Sequence, residues 1–255
     1  MAVNASSIDR FRSLLVVAAT IGTVAFNWIA AAGYVNGVTP GEISAKYPTV
    51  ITPSGYAFSI WSLIYVGLLA FSILQASPRY LERFRQVRSP YILSCALNCA
   101  WIYFWHNDQI AICLALIIFL LGVVVVINYK IRIADSTAEA LLAKGPFGLY
   151  MGWLTAAALA NLAVLLVYLK VDLGSSANIV GAVLVLAAAA IGVLFRVRLF
   201  NYFAPLAVAW ALTAIAIKQS GRTLIVLAAA VGVVACLIAA LSFVMNLNSS
   251  SDERR

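Results

Sequence analysis

The chain consists of long apolar runs separated by short polar segments. Eight runs have about the 20 residues that a helix needs to cross a bilayer. They cover residues 13–34, 55–76, 90–106, 109–129, 146–169, 177–195, 199–217 and 222–247. All 17 Lys and Arg and all 9 Asp and Glu lie at or between the ends of these runs. The pattern predicts an all-α integral membrane protein with about eight transmembrane helices.

Composition and charge agree with this prediction. A chain with 64% hydrophobic and 10% charged residues has too little polar surface to cover a soluble core. If the N-terminus is cytoplasmic, 13 of the 17 Lys and Arg lie on the inner side. The four on the outer side are Lys46, Lys170, Lys218 and Arg222. The positive-inside rule therefore predicts cytoplasmic N- and C-termini. The net charge of +8 then indicates contact with anionic lipid, not nucleic acid.

The first run has two interpretations. Arg10 and Arg12 precede the apolar stretch Leu14–Trp28, and Ala30-Ala31-Ala32 follows it, as in a secretory signal with a cleavage site. The apolar run continues through Ala32 to spanning length, which favours a retained first helix.

The positions of the cysteines limit the chemistry that the sequence allows. The cysteines all fall inside predicted spans, so we expect no disulfide framework, zinc site or other cofactor. They are Cys95, Cys99, Cys113 and Cys236.

The longest connection on the outer side, residues 35–54, contains three Pro and two Gly. This composition predicts an irregular lid without a helix.

Polar and aromatic residues follow the second and third runs at helical spacing. Pro53 ends any preceding helix, so the second helix should begin at Ser54 or Gly55. Phe58, Trp61 and Tyr65 then lie on one of its faces. A second such face, on the third helix, consists of Tyr91, Ser94, Asn98, Trp101 and Trp105.

The residues at the ends of the spans should contact water or lipid. His106 is predicted to be a solvated interfacial side chain. Arg83, Arg85 and Arg88 should meet lipid phosphates, and the segment Lys130–Lys144 should mark the same interface, although either segment could dock a partner. The fourth run is almost wholly aliphatic and should face lipid or serve as scaffold.

Three motifs occur in the order found in a known family. They are Pro53-Ser-Gly-Tyr-Ala-Phe58 with Trp61 and Tyr65, Leu97-Asn98-Cys-Ala-Trp101 with Phe104, and Pro146 with Tyr150-Met-Gly-Trp153 and Asn161. Together they resemble the tryptophan-rich sensory protein family, also called the translocator or peripheral benzodiazepine receptor family. Phe58 and Trp61 are one residue closer than in the family pattern, and Leu149 and Ala156 replace its usual Pro and Phe.

The resemblance covers residues 13–169 and implies a five-helix bundle. We therefore predict a five-helix membrane domain at 1–169, three additional transmembrane helices at 170–247 and a polar cytoplasmic tail at 248–255. In the family, the loop between the first two helices covers a ligand site, which implies the same role for residues 35–54.

Amides on three helices are costly in a bilayer unless they are paired. Asn27, Asn98 and Asn161 could serve as interhelical hydrogen-bond donors and acceptors or as ligand contacts, and the residues alone leave both open. The resemblance implies a planar apolar ligand, a tetrapyrrole such as protoporphyrin or a sterol-like molecule. The ligand-binding residues expected on this basis are Asn27, Phe58, Trp61, Tyr65, Asn98, Trp101, Tyr150, Trp153 and Asn161.

Three functions were weighed. The first is a receptor or sensor that binds this ligand under the loop, with membrane lipid as a partner and a homodimer as an option. The second is a secondary transporter, although the spans lack the charges that coupled transport usually needs. The third is a tetrapyrrole-degrading enzyme, in which chemistry would depend on Trp61 and Trp153 with light or oxygen. We expect a receptor that is not an enzyme.

Overall fold

The computed structural model describes the backbone of residues 7–252 and the side chains of residues 7–242. Within this part of the chain the structure is helical and has no strand. The backbone of residues 248–252 continues α8, so the predicted tail is helical there, and residues 253–255 lie outside the described residues.

In the described residues, eight long helices alternate in direction along the chain. They are α1 (Ser7–Ala31), α2 (Ile60–Ala76), α3 (Arg88–His106), α4 (Ile110–Lys130), α5 (Gly145–Tyr168), α6 (Ala177–Leu199), α7 (Phe203–Lys218) and α8 (Thr223–Asp252). The bundle therefore has a loop end, which carries residues 32–59 and 107–109, and an opposite end, which carries residues 77–87 and 131–144.

Six helical segments in the described chain are long and apolar enough to cross a membrane. They correspond to the predicted spans except those in α3 and α7. Helix α3 carries the polar and aromatic face, and this lowers its hydropathy. Helix α7 has only 16 residues, fewer than the roughly 20 that a straight span needs.

The loop is partly helical, so the prediction of an irregular lid was wrong. Pro40–Lys46 forms a two-turn segment, here called the loop helix. Thr39 caps it, because its hydroxyl accepts from the Glu42 N–H at 3.3 Å while Glu42 accepts from the Thr39 N–H at 2.7 Å.

The start of α2 differs in detail from the prediction. Gly55–Ser59 forms a 3-10 turn, and α-helical geometry begins at Ile60. Ser54 occupies the capping position before that turn, but its side chain makes no capping hydrogen bond.

An aromatic cluster fills the bundle between α2, α3 and α5. The Phe71 ring lies 4.8 Å from Phe147 and 5.5 Å from Tyr91, centroid to centroid, and all three side chains are fully buried. Edge-to-face contacts of this kind add to the area that each ring buries. The predicted buried face of α3 is therefore part of the core.

Glycines let α5 and α7 approach closely. A Cβ on Gly152 would lie 2.1 Å from the Ala204 carbonyl oxygen, and one on Gly148 would lie 2.1 Å from Asn201 Oδ1. Small residues allow such backbone contact between membrane helices. Helix α7 thus packs directly on the fifth helix of the bundle.

Three arginines at the opposite end pair with carboxylates. Arg88 is fully buried and donates to Asp9 at 3.1 Å and to Gln75 at 3.0 Å. Arg85 pairs with Asp9 at 2.6 Å, and Arg83 pairs with Glu139 at 3.0 Å. The expectation that Arg88 meets lipid phosphates was wrong, because the acidic residue at the start of α1 draws it into the bundle.

Candidate functional site

The aromatic row of α2 packs against α5. The Trp61 ring stacks on Tyr65 at 5.3 Å and makes edge contacts with Tyr150 at 5.7 Å and Trp153 at 6.1 Å. The Phe58 ring meets the Trp153 ring at 6.0 Å, edge to face. The i, i+3, i+7 spacing therefore does place these three side chains on one face.

The α3 face supplies the opposite wall. Trp101 and Trp105 stack with ring centroids 5.5 Å apart. Trp101 Nε1 donates to Asn161 Oδ1 at 3.4 Å, and Trp105 Nε1 donates to the Pro40 carbonyl at 3.2 Å. The second bond ties the loop helix to α3.

The remaining amides form a hydrogen-bond network. Asn27 Nδ2 donates to Asn98 Oδ1 at 2.7 Å, and Asn98 Nδ2 donates to the Tyr150 hydroxyl at 3.0 Å. These three side chains join α1, α3 and α5. For Asn98 and Tyr150 the geometry fits interhelical hydrogen bonding, because neither lines a cavity described below.

An enclosed space, here called the inner cavity, lies between α2, α3, α5 and α7. Its volume is about 50 Å³, which is room for one or two water-sized groups. Its lining includes Phe58, Trp61, Trp101, Trp105, Trp153 and Asn161, together with Ala211 and Ile215 of α7. The cavity is therefore too small for a planar ligand of drug size.

A larger space, here called the groove, runs between α1 and α2 beneath the loop helix. Its volume is about 730 Å³, within the range typical of ligand pockets. Its lining includes Asn27, Trp28, Phe58, Trp61, Tyr65 and Val66, with Thr39, Pro40 and Glu42 from the loop. Phe58 and Trp61 line both the groove and the inner cavity, so they form the wall between the two.

The structure divides the nine expected ligand-binding residues among three places. Asn27, Phe58, Trp61 and Tyr65 line the groove. Trp101, Trp153 and Asn161 line the inner cavity with Phe58 and Trp61. Asn98 and Tyr150 stand behind both in the hydrogen-bond network.

Two polar hydrogens in these walls lack a protein acceptor. Tyr65 OH and Trp153 Nε1 are buried and have no hydrogen-bond partner in the described part of the chain. Buried donors are normally satisfied. Both donors are therefore enclosed by the packed walls, not exposed to either space.

Helix α7 contributes to the site in a way that the sequence did not reveal. Trp210 Nε1 donates to the Ala57 carbonyl at 3.0 Å, and its ring meets Tyr56 at 5.2 Å. The Ser54 N–H donates to the Ala214 carbonyl at 3.0 Å. These contacts hold the turn that carries Phe58. The feature of the sequence that could have indicated this role is Trp210, which stands in an alanine-rich helix.

The loop helix is fastened at its C-terminal end. Lys46 and Tyr47 both bind the Asp108 carboxylate, Tyr47 with an O–O distance of 3.0 Å. The hydrogen bond to Asp108 raises the pKa of Lys46 above its ordinary value of 10.5. The Thr39 N–H and hydroxyl lower the pKa of Glu42 below 4.5. Lys46 and Glu42 are therefore both charged near neutral pH.

His106 is buried, so the prediction of a solvated histidine was wrong. Its Nδ1 lies 2.8 Å from the Ile102 carbonyl oxygen, and its side chain is covered because the loop folds over the end of α3. The Asn36 amide donates to the His106 carbonyl at 2.9 Å. Among residues 7–242 no group of three or more His, Cys, Asp or Glu could hold a metal ion.

The fold and the site define a multi-pass helical membrane protein with an aromatic-lined groove. The family model for TSPO-like proteins matches residues 13–243. The chain therefore belongs to the TSPO-like family, and the match extends through the three C-terminal helices, where its motifs showed no resemblance. No curated protein and no solved structure matches the chain.

Proposed function

We propose that the protein is a membrane receptor or sensor that binds a planar hydrophobic ligand, a tetrapyrrole or a sterol-like molecule, in the groove. The observation that carries the proposal is the 730 Å³ groove, walled by Phe58, Trp61 and Tyr65 and covered by the loop helix. Aromatic faces suit a flat apolar ligand. The activity is binding without a chemical step, and all eight long helices span the membrane.

The location of the ligand follows from the volumes. The inner cavity of about 50 Å³ admits no ring system, whereas the groove does. The ligand body therefore lies against Trp61 and Tyr65 in the groove. Asn27 then serves both as an α1–α3 contact and as part of the groove wall.

The orientation in the membrane follows the charge distribution. The opposite end carries most of the Lys and Arg, which we assign to the cytoplasm. The loop end and the groove mouth then face the outer side.

The proposal is tested by titrating the full-length protein in lipid nanodiscs with protoporphyrin, haem and a sterol. Saturable quenching of the intrinsic tryptophan fluorescence by at least one of them is the expected result. Absence of saturable binding by all three would overturn the receptor assignment.

A secondary transporter is the second candidate. The groove rim includes Trp28 and Val66, which are 67% and 65% exposed. A hydrophobic molecule could therefore pass between the groove and the bilayer. The test is whether a proton gradient drives accumulation of a non-ionisable substrate in vesicles and a protonophore abolishes it. That result would favour the transporter over the receptor.

Loosening the loop should speed ligand release. Asp108→Asn removes the charge that holds Lys46, and deletion of residues within Val38–Thr52 removes the cover itself. Because a cover acts mainly on dissociation, both changes should raise the ligand off-rate, the deletion more strongly. Stopped-flow fluorescence measures this rate. Asp135→Asn, at the opposite end, is the control, and equal off-rates in all variants would exclude a lid.

Ligand binding should be nearly constant from about pH 6 to 8. The contact between Lys46 and Asp108 is fully present below pH 10.5, the ordinary pKa of lysine. It is lost only as the pH rises through the raised pKa of Lys46. The contact between Glu42 and Thr39 is fully present above pH 4.5, the ordinary pKa of glutamate. It is lost only as the pH falls through the lowered pKa of Glu42. Titrations with a non-ionisable sterol check this. A steep change in affinity between pH 6 and 8 would contradict it.

A further inference from the structure

A second space at the loop end, here called the vestibule, joins the groove and the inner cavity. Its volume is about 540 Å³. It shares Ser44, Pro53 and Phe58 with the inner cavity, and Gly41, Ala45, Gly55 and Phe58 with the groove. Phe58 therefore lines all three spaces, and a ligand in the groove has its outer edge beside the vestibule.

The charged residues in the vestibule lining are both basic. They are Lys218, the last residue of α7, and Arg222, in the turn that follows it. No ion pair to either side chain occurs within the described part of the chain. Arg222 donates only to neutral amide oxygens, those of Gln219 at 3.2 Å and Asn178 at 3.1 Å.

Among the described residues, no acidic side chain lines the vestibule. Glu42 is bound by Thr39 in the cap of the loop helix, and Asp108 is bound by Lys46 and Tyr47. Two exposed positive charges thus line the vestibule, and neither is ion-paired with a carboxylate in the described part of the chain. Clustered charges of one sign in a cleft attract an anion.

Hydrogen bonds of Gln219 fix the end of α7. Gln219 Nε2, between the two cations in sequence, donates to the Thr49 carbonyl at 3.2 Å and to the Thr52 carbonyl at 3.0 Å. These bonds tie the end of α7 to the loop that forms the vestibule wall. The backbone that carries Lys218 and Arg222 is therefore anchored beside the vestibule.

We propose that the vestibule is an anion subsite, in which Lys218 and Arg222 bind an acidic group carried by the ligand whose planar apolar body lies in the groove. The inference rests on the proposed function and narrows the ligand class to amphipathic planar acids. The C-terminal helices then contribute directly to ligand selection. A lipid phosphate has the same chemistry as a ligand carboxylate, and the test separates the two.

The test compares protoporphyrin, a dicarboxylic acid, with its neutral dimethyl ester. Both are titrated into the full-length protein in nanodiscs of neutral phosphatidylcholine. The unchanged protein should bind the acid more tightly than the ester. K218Q/R222Q should weaken acid binding roughly tenfold, since two partly exposed ion pairs are lost, and should leave ester binding unchanged. K170Q, which removes another loop-end cation outside the vestibule, should leave both affinities unchanged.

The outcomes separate the two proposals. If neither compound binds, the anion subsite and the tetrapyrrole as ligand are both overturned, and the sterol titration alone then decides the receptor assignment. If both bind equally in the unchanged protein and in K218Q/R222Q, the receptor stands and the anion subsite is overturned. Ester binding by K218Q/R222Q shows that the variant is folded. Adding phosphatidylglycerol to the discs identifies lipid phosphate as an occupant if it lowers the acid affinity of the unchanged protein alone.

Discussion

Asp9→Asn should destabilise the protein by about 3–5 kcal/mol, the cost of leaving a buried charge without its partner. Asp9 is 3% exposed and is the carboxylate that binds Arg88, which is fully buried. The amide oxygen can still accept a hydrogen bond, but the guanidinium loses its counter-charge and keeps only neutral acceptors, among them the Gln75 and Leu81 oxygens. Thermal or denaturant unfolding in detergent measures the loss.

Two control variants separate the buried pair from ordinary surface charge. Asp135 pairs with Arg83 at 3.3 Å but is 64% exposed, so Asp135→Asn should cost less than about 1 kcal/mol. Asp9→Asn combined with Arg88→Met should recover much of the lost stability, because no unpaired charge then remains buried. An Asp9→Asn effect no larger than that of Asp135→Asn would refute a structural role for the pair.

Gly152→Ala should force α5 and α7 apart. The new Cβ would lie 2.1 Å from the Ala204 carbonyl oxygen and 2.9 Å from the carbonyl carbon. Backbone atoms cannot rotate away, so the helices themselves must move, at a cost of about 1–3 kcal/mol. The inner cavity should change as well, because Ala211 and Ile215 of α7 line it.

Gly122→Ala is the matched control. Gly122 also lies within a long helix, and a Cβ there would meet nothing within 4 Å. Alanine should be neutral or slightly stabilising at this position, because its helix propensity exceeds that of glycine by about 1 kcal/mol. Equal melting temperatures for the two variants would show that α5 and α7 do not depend on close contact.

Periodicity was enough to predict the walls of the site. The spacing of Phe58, Trp61 and Tyr65 placed them on one face of α2, and the spacing of Asn98 and Trp101 placed them on the buried face of α3. Such patterns depend only on the 3.6-residue helical repeat and on burial. They do not give the distance between helices, so the division into groove and inner cavity was not predictable.

The loop helix was predictable from a signal that the proline count obscured. Thr39 and Glu42 are three residues apart and flank Pro40. This arrangement is a capping box with proline at the first helical position.

The burial of His106 was not predicted for a related reason. Its position at a span end indicated solvent, whereas its burial depends on a loop that folds over it.

The role of α7 could not be predicted from sequence. Its alanines have no preferred face, and its contacts with Gly152 and Ala57 join residues far apart in the chain. The same applies to Asn201, which donates to Asn128 at 2.9 Å across 73 positions. Such pairs follow from packing, and a single sequence does not encode them locally.

The most direct test of a ligand in the groove is protoporphyrin binding by Trp61→Ala and Leu63→Ala in nanodiscs. Trp61 lines the groove, whereas Leu63, on the same helix, is 57% exposed on another face. Loss of a central aromatic contact typically weakens binding by roughly tenfold or more. The account predicts this loss for Trp61→Ala and unchanged affinity for Leu63→Ala. Equal affinity of both variants and the unchanged protein would contradict it.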